Sequence, residues 1–585
     1  MESDDTVRTN PSSSPPSHIN EEEGKYIENE SLEQQDHTNE SIGDNIIATQ
    51  GIFAQFCTTS LEDSITDEVG NLNLLDSSNG EGDGAETLES AMKSSIHELT
   101  GEDSSSRIET NVLGSNNQKD SDISQRTESD EENETFEDAR EVLHSPASDA
   151  SMSPSAQSHP CLIKEIGKSV CVTSNEEWKF QPKHIFILSD AGKPIYSHHG
   201  DEDELASLMA VMQAHVSFVH DMDGDNIRAI HCHDCSIVFL NKGPLILVAV
   251  SRGMETVTQL IVQLTYMYHQ VLSVVTLSHL TRIFEEKKNY DLRKMLAGSE
   301  RLLDSLTVNM QKDPSFMLSA VRVLSLPSTT RDSISAAIGQ SCGKVNNLVF
   351  AILIAENQLI ALVRMKKYFI HPADLHLIFN LVNSSESFKH SENWTPICLP
   401  KFDSSGFMHA HVSYLKDGFP ACLLMLTVER DAFFKLSEAK QKIVAALEKG
   451  GSLKAINDST QMCKYIPSAI GIPDIKHFLY KSKTTAQYTG SEYVAPYLDG
   501  KSQERLQNIY LFLQGQLHAS SRTAKLLYYT GRIENVFSWA TQSFELYATF
   551  DALTTKQRAI HAMSKLVKWV KKEESSIFIL SSPVF

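Results

Sequence analysis

Hydrophobic and polar positions change character near Pro160. Ahead of it apolar residues are sparse and follow no period. Beyond it they recur with the two-residue period of strands and the 3.6-residue period of helices. The first set opens with two strand-like runs, HIFILSD and IYSHHG, parted by the turn Ala191-Gly192-Lys193-Pro194. A helix-period segment, LASLMAVMQAHVSFV, follows the acidic stretch Asp201 to Glu204, which suits the positive end of a helix dipole. Three strand runs come next: NIRAIHC, CSIVFLN and PLILVAVS. The pattern then predicts one long helix from near Glu255 to near Glu286, and a shorter one, DLRKML, stopped at Gly298.

The same order returns twice. NNLVFAILI and QLIALVRM predict a hairpin around Glu356-Asn357, and HPADLHLIFNLV a helix with Pro372 in its first turn. The strands TPICLP, FMHAHVSYL and ACLLMLTV and a helix from Asp431 to Leu447 complete that round. The third runs HFLYKSK, TAQYTG, the helix QERLQNIYLFLQGQL, three strands (AKLLYYT, NVFSWAT, SFELYAT) and a helix from Thr554 to Lys572. Three repeats of roughly 110–130 residues fit better than one large sheet, because single cores rarely serve more than about 250 residues. The expected fold is α/β (α+β): each repeat a five-stranded antiparallel sheet flanked by helices. The boundaries drawn are a tail over 1–160 and domains over 161–315, 316–455 and 456–585.

Charge sharpens the division. Residues 1–160 hold 36 Asp and Glu against 7 Lys and Arg, whereas the remainder holds 40 against 45. A tail rich in Ser, Asn and acid, and poor in aromatics, cannot bury enough apolar surface to offset chain ordering, so it is expected to be disordered. The mildly basic body is suited to anionic surfaces. No secretory signal is read at the start. No apolar run reaches about 18 residues; the best, VTQLIVQLTYMYHQVLSVV, is broken by Gln259, Gln263, His269 and Gln270. Nine scattered cysteines suggest reduced thiols and a cytoplasmic protein.

HCHDC, His231 to Cys235, packs four metal-ligand types into five residues. A structural zinc site needs a full tetrahedral set. Cys232 and Cys235 supply at most half of one, and every other cysteine is isolated. The stretch is therefore read as a hairpin tip, with no metal and no cofactor. Phosphate-loop, dinucleotide, nucleophile-elbow and zincin motifs are absent from the sequence. Neither a bond-making enzyme nor a nucleic-acid binder is expected.

The helix from Leu205 to His220 is the most informative element. Leu205, Leu208, Met209, Met212, Val216 and Val219 form one stripe, suited to cover its own sheet. The opposite side carries Ala206, Ala210, Val211, Ala214 and Phe218, and no charged residue occurs between Leu205 and His220. Such a helix is normally covered on both sides. Either another domain of the chain lies over the outer face, or a partner's equivalent helix docks there; the second reading is preferred.

GPLILVAVSR (Gly243 to Arg252), NYDLRKMLAGSERLLDSL (Asn289 to Leu306) and ENWTPICLPKFDSSGFMHAHVSYL (Glu392 to Leu415) resemble the SAND family, the Mon subunit of the Mon–Ccz guanine-nucleotide exchange complex. The resemblance runs from about Lys179 to Phe585. It implies three successive longin domains and an obligate heterodimer with the Ccz subunit through the first longin domains. It further implies activation of the late-endosomal Rab GTPase (Rab seven), supporting endosome conversion, autophagy and fusion at the lysosome or vacuole. Peripheral recruitment to endosomal membranes bearing anionic phosphoinositides belongs to the same expectation. The rival reading is a non-enzymatic longin-type adaptor or tether.

Two further segments are candidate contacts, each set against a plainer reading: an ordinary acidic disordered stretch for the first, and a solvated face of the last domain for the second. ESDEENETFEDARE, Glu128 to Glu141, looks like the acidic-tract ligand of VAP proteins, with Phe136 and Ala139 filling pockets and Asp138 and Glu141 in the acidic set. Ser129 before Asp130-Glu131-Glu132 suits an acidophilic kinase. The last helix carries Lys565, Lys568, Lys571 and Lys572 around Trp569, a candidate contact with anionic membrane.

Overall fold

Runs of apolar residues bounded by turn chemistry form the strands, and in each sheet the central strands are buried on both faces. The computed structural model describes residues 72–74, 177–343, 345–462, 465–519 and 525–585. The tail, apart from the short strand β1 (Leu72–Leu74), lies outside them, and so do Ser129, Phe136, Asp138, Ala139 and Glu141.

The first domain comprises β2 (Lys183–Ser189), β3 (Pro194–Ser197), α1 (Ala206–Asp223), β4 (Ala229–His231), β5 (Ser236–Lys242) and β6 (Leu245–Ser251). The sheet order is β3-β2-β6-β5-β4, antiparallel throughout. One face packs Phe186, Leu188, Ile246 and Val248 under α1. The other packs Ile185, Ile187 and Leu247 under α2 (Val257–Val275) and the helices after it.

Those helices depart from the expected single rod. The chain bends by 82° between α2 and α3 (Leu277–Glu286). The break is Thr276, whose φ of 63° cannot continue a helix. Its hydroxyl instead accepts the backbone N–H of His279 and caps α3. After α4 (Arg293–Leu296), α5 (Glu300–Lys312) and α6 (Pro314–Leu318) are additions the periodicity did not reveal.

The second domain begins with another unanticipated helix, α7 (Ser328–Cys342), after the short strand β7 (Val321–Arg322). It continues through β8 (Leu348–Ala355), β9 (Gln358–Arg364), α8 (Pro372–Ser384), β10 (Asn393–Leu399), β11 (Asp403–Tyr414), β12 (Ala421–Thr427), α9 (Phe433–Lys449) and α10 (Ser452–Met462). Glu356 and Asn357 both take positive φ, 45° and 60°, giving the two-residue hairpin foreseen. The order is β10-β11-β12-β8-β9.

The third domain has β13 (Ile475–Ser482), β14 (Gln487–Gly490), α11 (Gly500–Leu517), β15 (Leu526–Thr530), β16 (Glu534–Ala540), β17 (Phe544–Asp551), α12 (Lys556–Lys572) and α13 (Glu574–Ile577). Its five strands gain β1 at one edge, antiparallel to β15, and β7 at the other, parallel to β14. Val323, next along from β7, bridges Leu359 of β9. The segment between the first and second domains thus stitches the second and third sheets edge to edge.

Helix α2 joins all three domains. Tyr266 meets His376 of α8, Gln270 accepts a hydrogen bond from Asn380, and Gln259 donates to the carbonyl of Leu511 on α11. Two of the polar residues that argued against a membrane span, Gln259 and Gln270, make interdomain bonds, whereas Gln263 bonds to Lys183 and Glu255 inside the first domain; all are buried with the helix. No single helix among the described residues is long and apolar enough to cross a membrane.

Candidate functional site

The surface built by α1 follows from its amphipathic stripe. Leu205, Leu208, Met209, Met212 and Val216 are buried against the first sheet, and Val219 is half-buried at the margin. The helix ends at Gly224, whose φ of 64° lets its N–H reach the carbonyl of His220 at 2.9 Å. Ahead of it, Asp201 Oδ1 accepts the backbone N–H groups of Asp203 and Glu204, so the acidic stretch folds into its own turn.

The outer face carries Ala210 and Ala214, both exposed, with Ala206 half-buried beside them. Phe218 is 38% exposed and Met222, one turn on, 66%. Val211 leans inward and packs on the buried cluster. Among the described residues Ser207, Ala210, Ala214 and Phe218 are exposed, with the Gly192 turn between β2 and β3 passing beside Ala210. Small side chains along one side with a ring and a thioether at its end let a second backbone approach closely. Nothing in this arrangement can make or break a bond.

HCHDC is the turn between β4 and β5. The Cys232 N–H donates to the Cys235 carbonyl at 2.9 Å, and His231 Nδ1 lies 3.1 Å from Ser236 Oγ. His233 pairs with its neighbour Asp234.

On α12, Lys565, Lys568, Lys571 and Lys572 are exposed. Trp569 is turned the other way. Its ring stands edge-on to Tyr465 at 5.0 Å and to Phe478 at 6.2 Å, against the third core. The basic face therefore offers lysines without the indole. A cavity of about 290 Å³ lies where α2, α6 and α11 meet, lined by Gln263, Tyr266, Met310, Phe316, Leu511 and His518 among others.

The second domain holds an exposed aromatic group that the periodicity did not single out. Phe434 is 82% exposed and stands edge-on to Phe433, which in turn meets Trp394 on β10. The signal available was a Trp on a strand ahead of Pro396, where a proline marks a sheet edge.

Three family models match in order: "First Longin domain of FUZ, MON1 and HPS1" over residues 183–306, the second over 346–445 and the third over 474–574. The chain is 45% identical over 408 residues to the human "Vacuolar fusion protein MON1 homolog A", covering 70% of this chain and 62% of that protein. It is 44% identical over 433 residues to the chicken (Gallus gallus) protein of that name, 74% and 78% of the two chains. It is also 44% identical over 408 residues to "Protein SAND" of Takifugu rubripes, 70% and 78%. The match thus spans less than two thirds of the human relative's length. The three sheets and these matches agree, and the chain belongs to the MON1/SAND family of proteins with three longin domains.

Proposed function

We propose that this chain is one subunit of a heterodimeric guanine-nucleotide exchange factor for a Rab GTPase of late endosomes and vacuoles. The observation that carries the reading is the outer face of α1, uncharged and exposed in the chain alone. An equivalent helix of the Ccz subunit would lie on it, and the composite surface would hold the GTPase. The human and chicken relatives are named vacuolar fusion proteins, which supports a trafficking role at those membranes.

Exchange needs no reacting side chain. A surface that binds the nucleotide-free GTPase more tightly than its GDP-bound form shifts the equilibrium by the difference between the two affinities, and by no more. By linkage, GDP then weakens GTPase binding by the same factor. The chain alone would present half of that surface.

Peripheral recruitment belongs to the same reading. The α12 lysines would contribute about 1 kcal/mol each beside an anionic leaflet, and the tail motif around Phe136 would add a VAP contact. The discriminating experiment is release of fluorescent GDP from purified Rab GTPases by this chain, the Ccz subunit, and the two mixed. Acceleration by the mixture alone supports the exchange factor. A stable heterodimer that leaves GDP release unchanged favours an adaptor or tether.

A further inference from the structure

The loop from β9 to α8, MKKYFIH (Met365 to His371), has a feature that subunit pairing leaves unused. Phe369 is 73% exposed and Tyr368 37%. The ring is not there for want of structure. Arg364 Nη1 donates to the carbonyls of Lys366 at 3.2 Å and Tyr368 at 3.0 Å, fixing the turn. The same guanidinium lies 4.0 Å from the centre of the Phe369 ring. At its base the Tyr368 ring stands edge-on to Phe402 at 5.2 Å, and Phe402 to Phe350 of the sheet at 5.3 Å. The loop is anchored while its tip holds an apolar ring in solvent, an arrangement that water alone does not favour.

The charge around the ring selects what covers it. Lys366 and Lys367 are exposed beside it. Lys401, on the β10–β11 turn, lies close enough to His371 that burial and this ammonium together push the imidazole down. Of the nearby acids, Asp374 is buried and accepts the Lys401 N–H, and the exposed Asp403 is engaged by Ser405. Lysine is depleted at the centres of protein interfaces. Beside an anionic leaflet it is attracted, and its long stem lets the charge stay at headgroup level while a ring goes deeper.

We propose that the 365–371 loop is a membrane-docking tip: Phe369 enters the headgroup region of an anionic bilayer, and Lys366, Lys367 and Lys401 hold it there. This rests on the peripheral-membrane reading above and adds to it a site separate from the basic face of α12.

The test is flotation of the full-length chain with phosphatidylcholine vesicles containing phosphatidylserine, and with phosphatidylcholine alone. Lys366→Glu with Lys367→Glu lowers affinity for the anionic vesicles by about 30-fold or more, from about fivefold per lysine. Phe369→Ala lowers it several-fold even where salt screens the lysines. Phe369→Trp adds a blue-shifted component on anionic vesicles, read as a difference against the parent chain and its four tryptophans. Unchanged melting temperatures keep these losses apart from misfolding. If the parent chain ignores anionic vesicles, the peripheral-membrane reading fails and the loop fails with it. If the parent binds and the loop variants bind equally well, the loop proposal alone is overturned. A Trp shift on adding the Ccz subunit but not vesicles would put a protein on the loop and also overturn it.

Discussion

The Tyr266 hydroxyl, on the first domain, lies 2.9 Å from His376 Nδ1 on the second, and His376 Nε2 lies 3.2 Å from the carbonyl oxygen of Ala320. Nε2 must carry the hydrogen to satisfy that carbonyl, so Nδ1 accepts from Tyr266. A second proton would oppose that bond. Burial pushes the imidazole down from 6.5 to about 4.

The consequence for stability has a definite sign. The unfolded chain takes up the proton first, so stability is complete above pH 6.5 and is lost as pH falls towards about 4. His376 accounts for about 1.4 kcal/mol per pH unit within that window. Buried His477 and His269, pushed down to about 3 and about 4 by the same cause, add to the slope. Urea unfolding at a series of pH values should show a shallower dependence for His376→Gln than for the parent.

Arg331 is the keystone between the second domain and the C-terminal segment. Its guanidinium, 5% exposed, donates to the carbonyls of Leu324, Ser575, Ser576 and Phe578 at 2.8 to 3.0 Å. Arg331→Met leaves these acceptors unfilled and should cost about 3–5 kcal/mol in chemical denaturation. Arg331→Lys should recover little, since one ammonium cannot span the fork. Full rescue by Lys would show that charge, not geometry, matters there.

Gly515, on α11, lies against the N-terminal cap of α2. A Cβ there would sit 2.7 Å from Thr256 Cγ2, in the cap of α2. In a free helix Gly→Ala gains about 1 kcal/mol. Here Gly515→Ala should lower the melting temperature instead. Thr256→Ser, which removes the methyl and keeps the capping hydroxyl, should restore it in the double variant. A stabilised single variant would mean that the first and third domains part easily.

How much of this was readable beforehand depended on whether the cause was local. The Glu356-Asn357 hairpin and the three repeats carry their signal within a few residues, and both stand as expected. The break at Thr276 does not: helical periodicity continues on either side, and only packing turns the chain. Gln259 and Gln270 read as interruptions, because partners on α11 and α8 lie far off in sequence. Helix α7 went unseen since STTRDSISAAIGQSC has few apolar residues to set a phase. The outer face of α1 was legible as a missing charge. Phe369 was not, since one ring between lysines looks like any polar loop until Arg364 is seen to hold it.

Co-purification of the full-length chain with the Ccz subunit, compared with Ala210→Asp and Ala214→Asp, tests the account most directly. Both alanines are exposed, so the variants should keep the parent's melting temperature, with changes within about 0.5 kcal/mol. The prediction is that the parent elutes as a heterodimer and that either aspartate abolishes the pairing. A heterodimer that survives both substitutions undiminished would contradict the claim that α1 is the docking face.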